Sequence, residues 1–305
     1  MRFGVYPLGI AGGPDGIASG PPDDMNRIIA AITELQGDRA PVVPRMYVPW
    51  TGDDSAARLV AQVAGVPWDL VLCYRHETGD AEGFAEFVAD VVRAHGDTLD
   101  SVQVTGEPNM GGMPFAADGA FPDVVRAMVL GVRAGVAARA DGQPVRIGIG
   151  LVPSEFEDSD FWSKVEACGG SAFAAALDYA GLDIYPDVFG GRVPLESVPE
   201  VVTGMVDRYR ATLTRIGVPA STELRICENG WPTGADRPEQ LQADVLETVI
   251  RTCHRLGVRR WQLFALRDAD STAATPWHRF GVLRDDYSPK PAFHRLRALI
   301  QELSD

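Results

Sequence analysis

At 305 residues the chain is long enough for two average domains, and it is also the size at which alternating strands and helices close into one barrel. Its formal charge of -14 repels phosphate backbones and anionic headgroups, which argues against nucleic acid and membrane as partners and favours a neutral or cationic ligand. Lysine occurs only at Lys164 and Lys290, neither of them placed for Schiff-base chemistry.

Taken in order, short apolar runs alternate with helical patterns that tend to stop at glycine. Strands are expected at residues 3–8, 42–48, 70–74, 102–107, 145–152, 182–185, through Glu228 and at 261–266. Helices are expected at 22–37, 54–65, 81–96, 122–142, 161–177 with a break at Gly169-Gly170, 198–217, 238–257 and 291–303. Eight strand–helix units, with glycines available to cap six of the helices in the left-handed conformation, predict an α/β fold of one domain over residues 1–305, a single (β/α)8 barrel. An open doubly wound sheet is the alternative, and it needs fewer units or an added domain. Residues 9–16 lack both the GxGxxG and Walker patterns, so they read as a flexible rim loop.

In such a barrel the chemistry sits where strands end and the following loops begin. Those positions hold Tyr6, Arg45, His76, Glu107, Asn109, Tyr185, Glu228 and Trp231, a set rich in acids and aromatics. Aromatic faces stack on the apolar faces of sugar rings, while carboxylates and arginine bind hydroxyls or move protons. Two stretches share one form. Ser101 to Asn109 and Arg225 to Thr233 each run as a strand into a single glutamate, then meet a proline that ends the strand.

Gly106-Glu107-Pro108-Asn109 resembles the Asn-Glu-Pro motif of the retaining barrel glycoside hydrolases, and Cys227-Glu228-Asn229-Gly230-Trp231-Pro232-Thr233 resembles their Glu-x-Gly-Trp-Pro motif, as in endo-β-1,3-glucanases and neighbouring families. That clan carries its acid/base at the end of strand four and its nucleophile at the end of strand seven. Weaker likenesses are Arg45, similar to the arginine that holds the nucleophile, and Leu182-Asp183-Ile184-Tyr185-Pro186, similar to the strand-six tyrosine. Phe280-Gly281-Val282-Leu283 and Pro289-Lys290-Pro291-Ala292 look like the segment that closes such barrels. The resemblance implies double displacement on a β-linked sugar, with Glu228 as nucleophile and Glu107 as acid/base, aided by Arg45 and Tyr185. Trp231, Asn109, His76 and Tyr6 are the further substrate-binding candidates.

Two positions depart from the pattern. Gly106 stands where the clan has the asparagine that contacts the sugar 2-hydroxyl, and Phe264 stands where strand eight usually exits in tryptophan. These keep two alternatives open: a transglycosylase using the same pair, and a carbohydrate-binding barrel without catalysis. An acid at a strand end also serves as an ion-pair partner or cap, and Arg45 can simply pair with an acid of the barrel layer. His76-Glu77 has no second histidine at ligand spacing, so no metal is expected, and no cofactor either.

Cys73, Cys168, Cys227 and Cys253 are scattered without a CxxC and are expected to be reduced core thiols, with Cys227 alternating away from Glu228. Met1 runs straight into Arg2-Phe3-Gly4-Val5 with no charged leader and apolar segment, so a cytoplasmic protein is expected, although a trimmed secreted chain reads the same.

Overall fold

The computed structural model describes residues 1–63 and 65–304. The elements run β1 (Arg2–Val5), β2 (Ala11–Gly13), β3 (Gly16–Ala18), α1 (Met25–Gln36), β4 (Val43–Trp50), α2 (Ser55–Val63), β5 (Asp69–Tyr74), α3 (Ala81–His95), β6 (Ser101–Val104) and α4 (Val124–Ala138). There follow β7 (Arg146–Leu151), α5 (Phe161–Cys168), α6 (Gly170–Ala176), β8 (Tyr179–Ile184), α7 (Val198–Arg215), β9 (Glu223–Asn229), α8 (Glu239–Arg255), β10 (Arg260–Leu263) and α9 (Pro291–Leu303). Eight parallel strands close a barrel in the order β1-β10-β9-β8-β7-β6-β5-β4, as the strand–helix rhythm predicts. Strands covered on both faces carry continuous apolar runs, and β5 and β8 are buried at every position. Among the described residues no helix is long and apolar enough to cross a membrane.

By contacts the chain divides into two compact units. One comprises Met1–Pro44, Asp183–Asp207 and Arg225–Asp305. In it, Asp24 caps α1 by accepting from the backbone N–H of Asn26 and Arg27, which satisfies two donors the first turn leaves open. Helix α9 starts at Pro291, where a missing N–H costs nothing, and Arg251 of α8 grips the Glu302 carboxylate of α9 through both terminal nitrogens, at 2.8 and 2.7 Å.

The other unit comprises Arg45–Leu182 and Arg208–Leu224. Its strands share a polar inner layer: Arg45 pairs with Asp69 and donates to Gln103 Oε1 at 2.7 Å, and Ser101 donates to Asp69 Oδ1 at 2.6 Å. Gly150 makes room for that layer, since a Cβ there would lie 2.5 Å from the Gln103 amide. On the outside, Gly131 lets α4 approach β6 so closely that a Cβ would come within 2.8 Å of Val104.

The expected boundaries hold for α9, β5 and most helices and shift elsewhere. Strands β6 and β10 stop three residues earlier than the sequence suggests, at Val104 and Leu263. Beyond Val104 the cause is local, because Thr105 turns into the left-handed region at φ 69° and leaves the sheet. Residues 9–16, read as a loop, form most of the antiparallel β2–β3 hairpin, with Ala11 opposite Ala18. Gly96 ends α3 in the right-handed conformation, so it is not one of the left-handed caps. No cysteine is in a disulfide, and Cys168 is exposed on the last turn of α5, which corrects its reading as a core thiol.

Candidate active site

Strand β9 delivers Glu228 half-buried between the buried Cys227 and Asn229. Its register beside β8 is pinned at the exit, where Asn229 Nδ2 donates to the Ile184 carbonyl at 2.7 Å. The next residue of β8's exit is Tyr185, and its hydroxyl donates to Glu228 Oε2 at 2.7 Å. That bond orients the carboxylate. The chain then needs glycine: a Cβ on Gly230 would fall 1.9 Å from the Phe264 carbonyl oxygen. The Phe264 N–H donates to Asn229 O at 2.8 Å, so β10's exit is tied to the end of β9.

Phe264 takes part in an aromatic floor in place of the expected tryptophan. It stacks on Tyr6 with centroids 5.1 Å apart and planes at 6°, and meets Phe280 and Tyr185 edge-on at 5.6 and 6.4 Å. The floor continues outward from Tyr185 to the exposed Phe189 at 5.0 Å, which stacks on Trp277 at 5.3 Å. The sequence reading missed Phe189 as a site residue, since one phenylalanine in a loop carries no periodic signal.

Trp231 is corrected. Its side chain is fully buried, its indole N–H donates to Asp187 Oδ2 at 3.2 Å, and the Arg237 guanidinium lies over its ring at 4.5 Å. No ring face is left for a sugar, and the residue serves as a strut under the loop after Glu228.

In the other unit, β6 leads to Glu107, half-buried with φ at 48°. Thr105, two residues before it, also has positive φ, an outlier for a β-branched residue. Such conformations cost about 1–3 kcal/mol each unless surrounding contacts hold them, and they cluster at working sites. The contacts here come from Asp118, a fully buried carboxylate in a short 3-10 turn. Its Oδ2 accepts from the N–H groups of Gly106 and Tyr74, both at 2.7 Å, and Arg75 Nε lies 2.9 Å from its Oδ1. Burial pushes the Asp118 carboxyl up to about 6, with Arg75 and the two N–H donors opposing. Burial, and after it the Asp118 charge, push the Cys73 thiol up to about 12.

Gly106 itself is buried, and a Cβ there would meet Cys73 Sγ at 3.5 Å and Val71 at 3.6 Å. A side chain at this position starts toward the β5 layer. Asn109 is also fully buried: it accepts from Val152 N and donates to Val152 O, each at 3.0 Å, and donates to Glu157 at 3.2 Å. Its amide thereby clamps the Glu107 loop to the exit of β7. Trp162 donates to the same Glu157 oxygen at 2.8 Å, and partial burial holds the Glu157 carboxyl above the usual range. His76 stacks on Trp50 at 5.5 Å and keeps a buried Nδ1 without a partner. Arg45 pairs with Asp69 and donates to Gln103, and its Nε donates to the Tyr47 hydroxyl at 3.2 Å.

No family model matches the sequence, and no curated protein matches it. Solved structures do share its fold. The chain superposes on the β-D-glucuronidase of Dictyoglomus thermophilum with a TM-score of 0.63 at 13% identity, covering 100% of this chain and 51% of that one. The β-glucuronidase of Bifidobacterium dentium complexed with coumarin-3-O-glucuronide gives 0.61 at 15%, covering 100% and 46%. That of Ruminococcus gnavus gives 0.61 at 13%, covering 92% and 46%. The chain thus spans about half the length of these β-glucuronidases, and at such identities the likeness is one of fold.

Proposed function

We propose that the protein is a retaining glycoside hydrolase that cleaves a β-linked sugar, with Glu228 as nucleophile and Glu107 as acid/base. The observation that carries this reading is the Tyr185 hydroxyl bound to Glu228 Oε2 at the exit of β9, on the strand and in the motif where the resemblance puts a nucleophile. In the first step the Glu228 carboxylate attacks the anomeric carbon as Glu107 gives its proton to the departing oxygen. In the second, Glu107 takes a proton from water, which displaces Glu228 and releases the sugar with its configuration retained. The fold shared with β-glucuronidases supports the reaction class. Their glycone is one to include in the test rather than one to assume.

The test is phenol release from aryl α- and β-glycosides of glucose, galactose and glucuronic acid, by wild type and by Glu228→Ala. The expected result is release from β-anomers by wild type alone. Release from α-anomers only, equal release by Glu228→Ala, or none by folded wild type would each overturn the proposal. Adding a sugar acceptor separates hydrolysis from transglycosylation, since a transglycosylase yields a new glycoside instead of free sugar.

A further inference from the structure

We infer that Asp118 is a positioning residue for Glu107, and that Arg75 acts with it. The inference rests on the reading of Glu107 as acid/base.

Asp118 and Gly106 grip each other reciprocally. The Gly106 N–H donates to the Asp118 carboxylate at 2.7 Å, and the Asp118 N–H donates to the Gly106 carbonyl at 2.8 Å. Both peptide groups on either side of Gly106 are therefore fixed, between two residues held at positive φ. The same carboxylate oxygen takes the Tyr74 N–H, so the turn is referenced to the end of β5. Arg75 builds the seat. Its Nε pairs with Asp118 while its terminal nitrogens donate to the carbonyls of Pro114 at 2.5 Å, Ala116 at 2.7 Å and Ala117 at 3.3 Å, and its guanidinium covers Phe121. One arginine thus organises the 114–121 loop, and that loop presents one buried carboxylate to the peptide before Glu107.

A carboxylate is the group this geometry requires. It alone accepts two N–H donors at one oxygen and sets negative charge at the other, 2.9 Å from the Arg75 guanidinium, whereas an amide carries no charge to pair with the arginine and must turn its NH2 donors toward one of the two sides. Loss of the grip frees Glu107 to move, and misplacement by about 1 Å costs on the order of 100-fold in a positioned reaction. The titratable groups facing Asp118 are Arg75, which is charged, and on the β5 side the Cys73 thiol, which stays neutral.

The test compares dinitrophenyl and phenyl β-glycosides of one glycone. Dinitrophenolate departs without a proton and phenolate needs one, so an ill-placed acid slows glycosylation of the enzyme by the phenyl substrate selectively. Asp118→Asn is expected to lower kcat/KM on the phenyl substrate by roughly 10- to 100-fold, with a much smaller change on the dinitrophenyl substrate. Glu107→Gln, run alongside, should show the same selectivity more strongly, by about 10²–10⁴-fold. Arg75→Gln keeps a donor for the loop carbonyls and should shift selectivity the same way, which decides the matter where Asp118→Asn does not fold. Equal losses on both substrates in the folded variants mean a merely structural role and overturn the inference. If Glu107→Gln lacks the selectivity, or wild type cleaves neither substrate, the underlying reading of Glu107 fails first.

Discussion

Tyr185 offers a clean single-atom perturbation. Its ring packs on Phe189, Phe264 and Phe280, so Tyr185→Phe keeps the aromatic contacts and removes the hydrogen bond to Glu228. A hydrogen bond to a charged group is worth about 1.5–3 kcal/mol, so kcat/KM should fall roughly 10- to 150-fold with the melting temperature unchanged. A loss of stability without a loss of turnover would remove Tyr185 from the mechanism. Gly106→Asn, which restores the clan's residue, should bring no gain in activity, because the new side chain starts toward Cys73 and Val71; steady-state kinetics beside a melting curve decides it. Asp118 also gives stability a pH slope. Between its ordinary 3.8 and about 6 the folded chain holds a proton that the unfolded chain releases, so this group's contribution to stability is greatest at low pH and falls as pH rises to about 6. Urea midpoints across that window should show the slope in wild type and lose it in Asp118→Asn. At this scale the positions of Glu228 and Tyr185 at strand exits were readable, since each follows an apolar run, and the structure brings the two into contact. The sequence concealed Asp118, which lies in an irregular loop, and it misplaced Trp231, whose cover comes from Arg237 and whose hydrogen bond goes to Asp187, 44 residues away.

Elements meet under the Glu228 loop at Lys290, one of the two lysines. Lys290 precedes α9 and is buried, and its ammonium donates to Asp268 at 2.8 Å, to the Gly281 carbonyl at 2.8 Å and to Thr233 at 3.1 Å. It joins the start of α9, the segment after β10 and the loop after β9. Burial lowers the Lys290 ammonium and raises the Asp268 carboxyl from their ordinary values, and each one's charge opposes the other's shift. Removing one member of such a pair strands the other's charge, so Lys290→Met should cost about 3–5 kcal/mol by urea unfolding, with Lys290→Met/Asp268→Asn recovering part of it. An unchanged midpoint would show that the pair holds nothing. Helix ends were legible where a terminal residue is explicit, as at Pro291, whereas α1, expected from residue 22, begins after its cap Asp24, at Met25. The ends of β6 and β10 were not legible: after β10 the apolar run continues through Phe264, Ala265 and Leu266, and after β6 the backbone leaves the sheet at Thr105, a β-branched residue at positive φ.

Across the whole molecule the eight repeats of strand and helix carried the fold into the sequence, since a closed parallel barrel needs that alternation and little else. The substrate is not encoded at that scale, but the charge of -14 bears on it. A net negative field slows approach of an anionic sugar and leaves a neutral one unaffected, and salt screens it over about 8–10 Å. Raising ionic strength should therefore increase kcat/KM for a β-glucuronide and leave that for a β-glucoside flat. A flat response for both would show that the surface charge does not reach the site.

In double displacement Glu228 forms a covalent bond to the sugar. The most direct measurement is the mass of the protein, and of its peptides, after reaction with an activated β-glycoside bearing fluorine on the ring carbon beside the anomeric centre, which slows release of the intermediate. The account predicts one sugar added, on the peptide containing Glu228, and none in Glu228→Ala. A sugar on another carboxylate, or turnover with no adduct and inversion at the anomeric carbon, would contradict it.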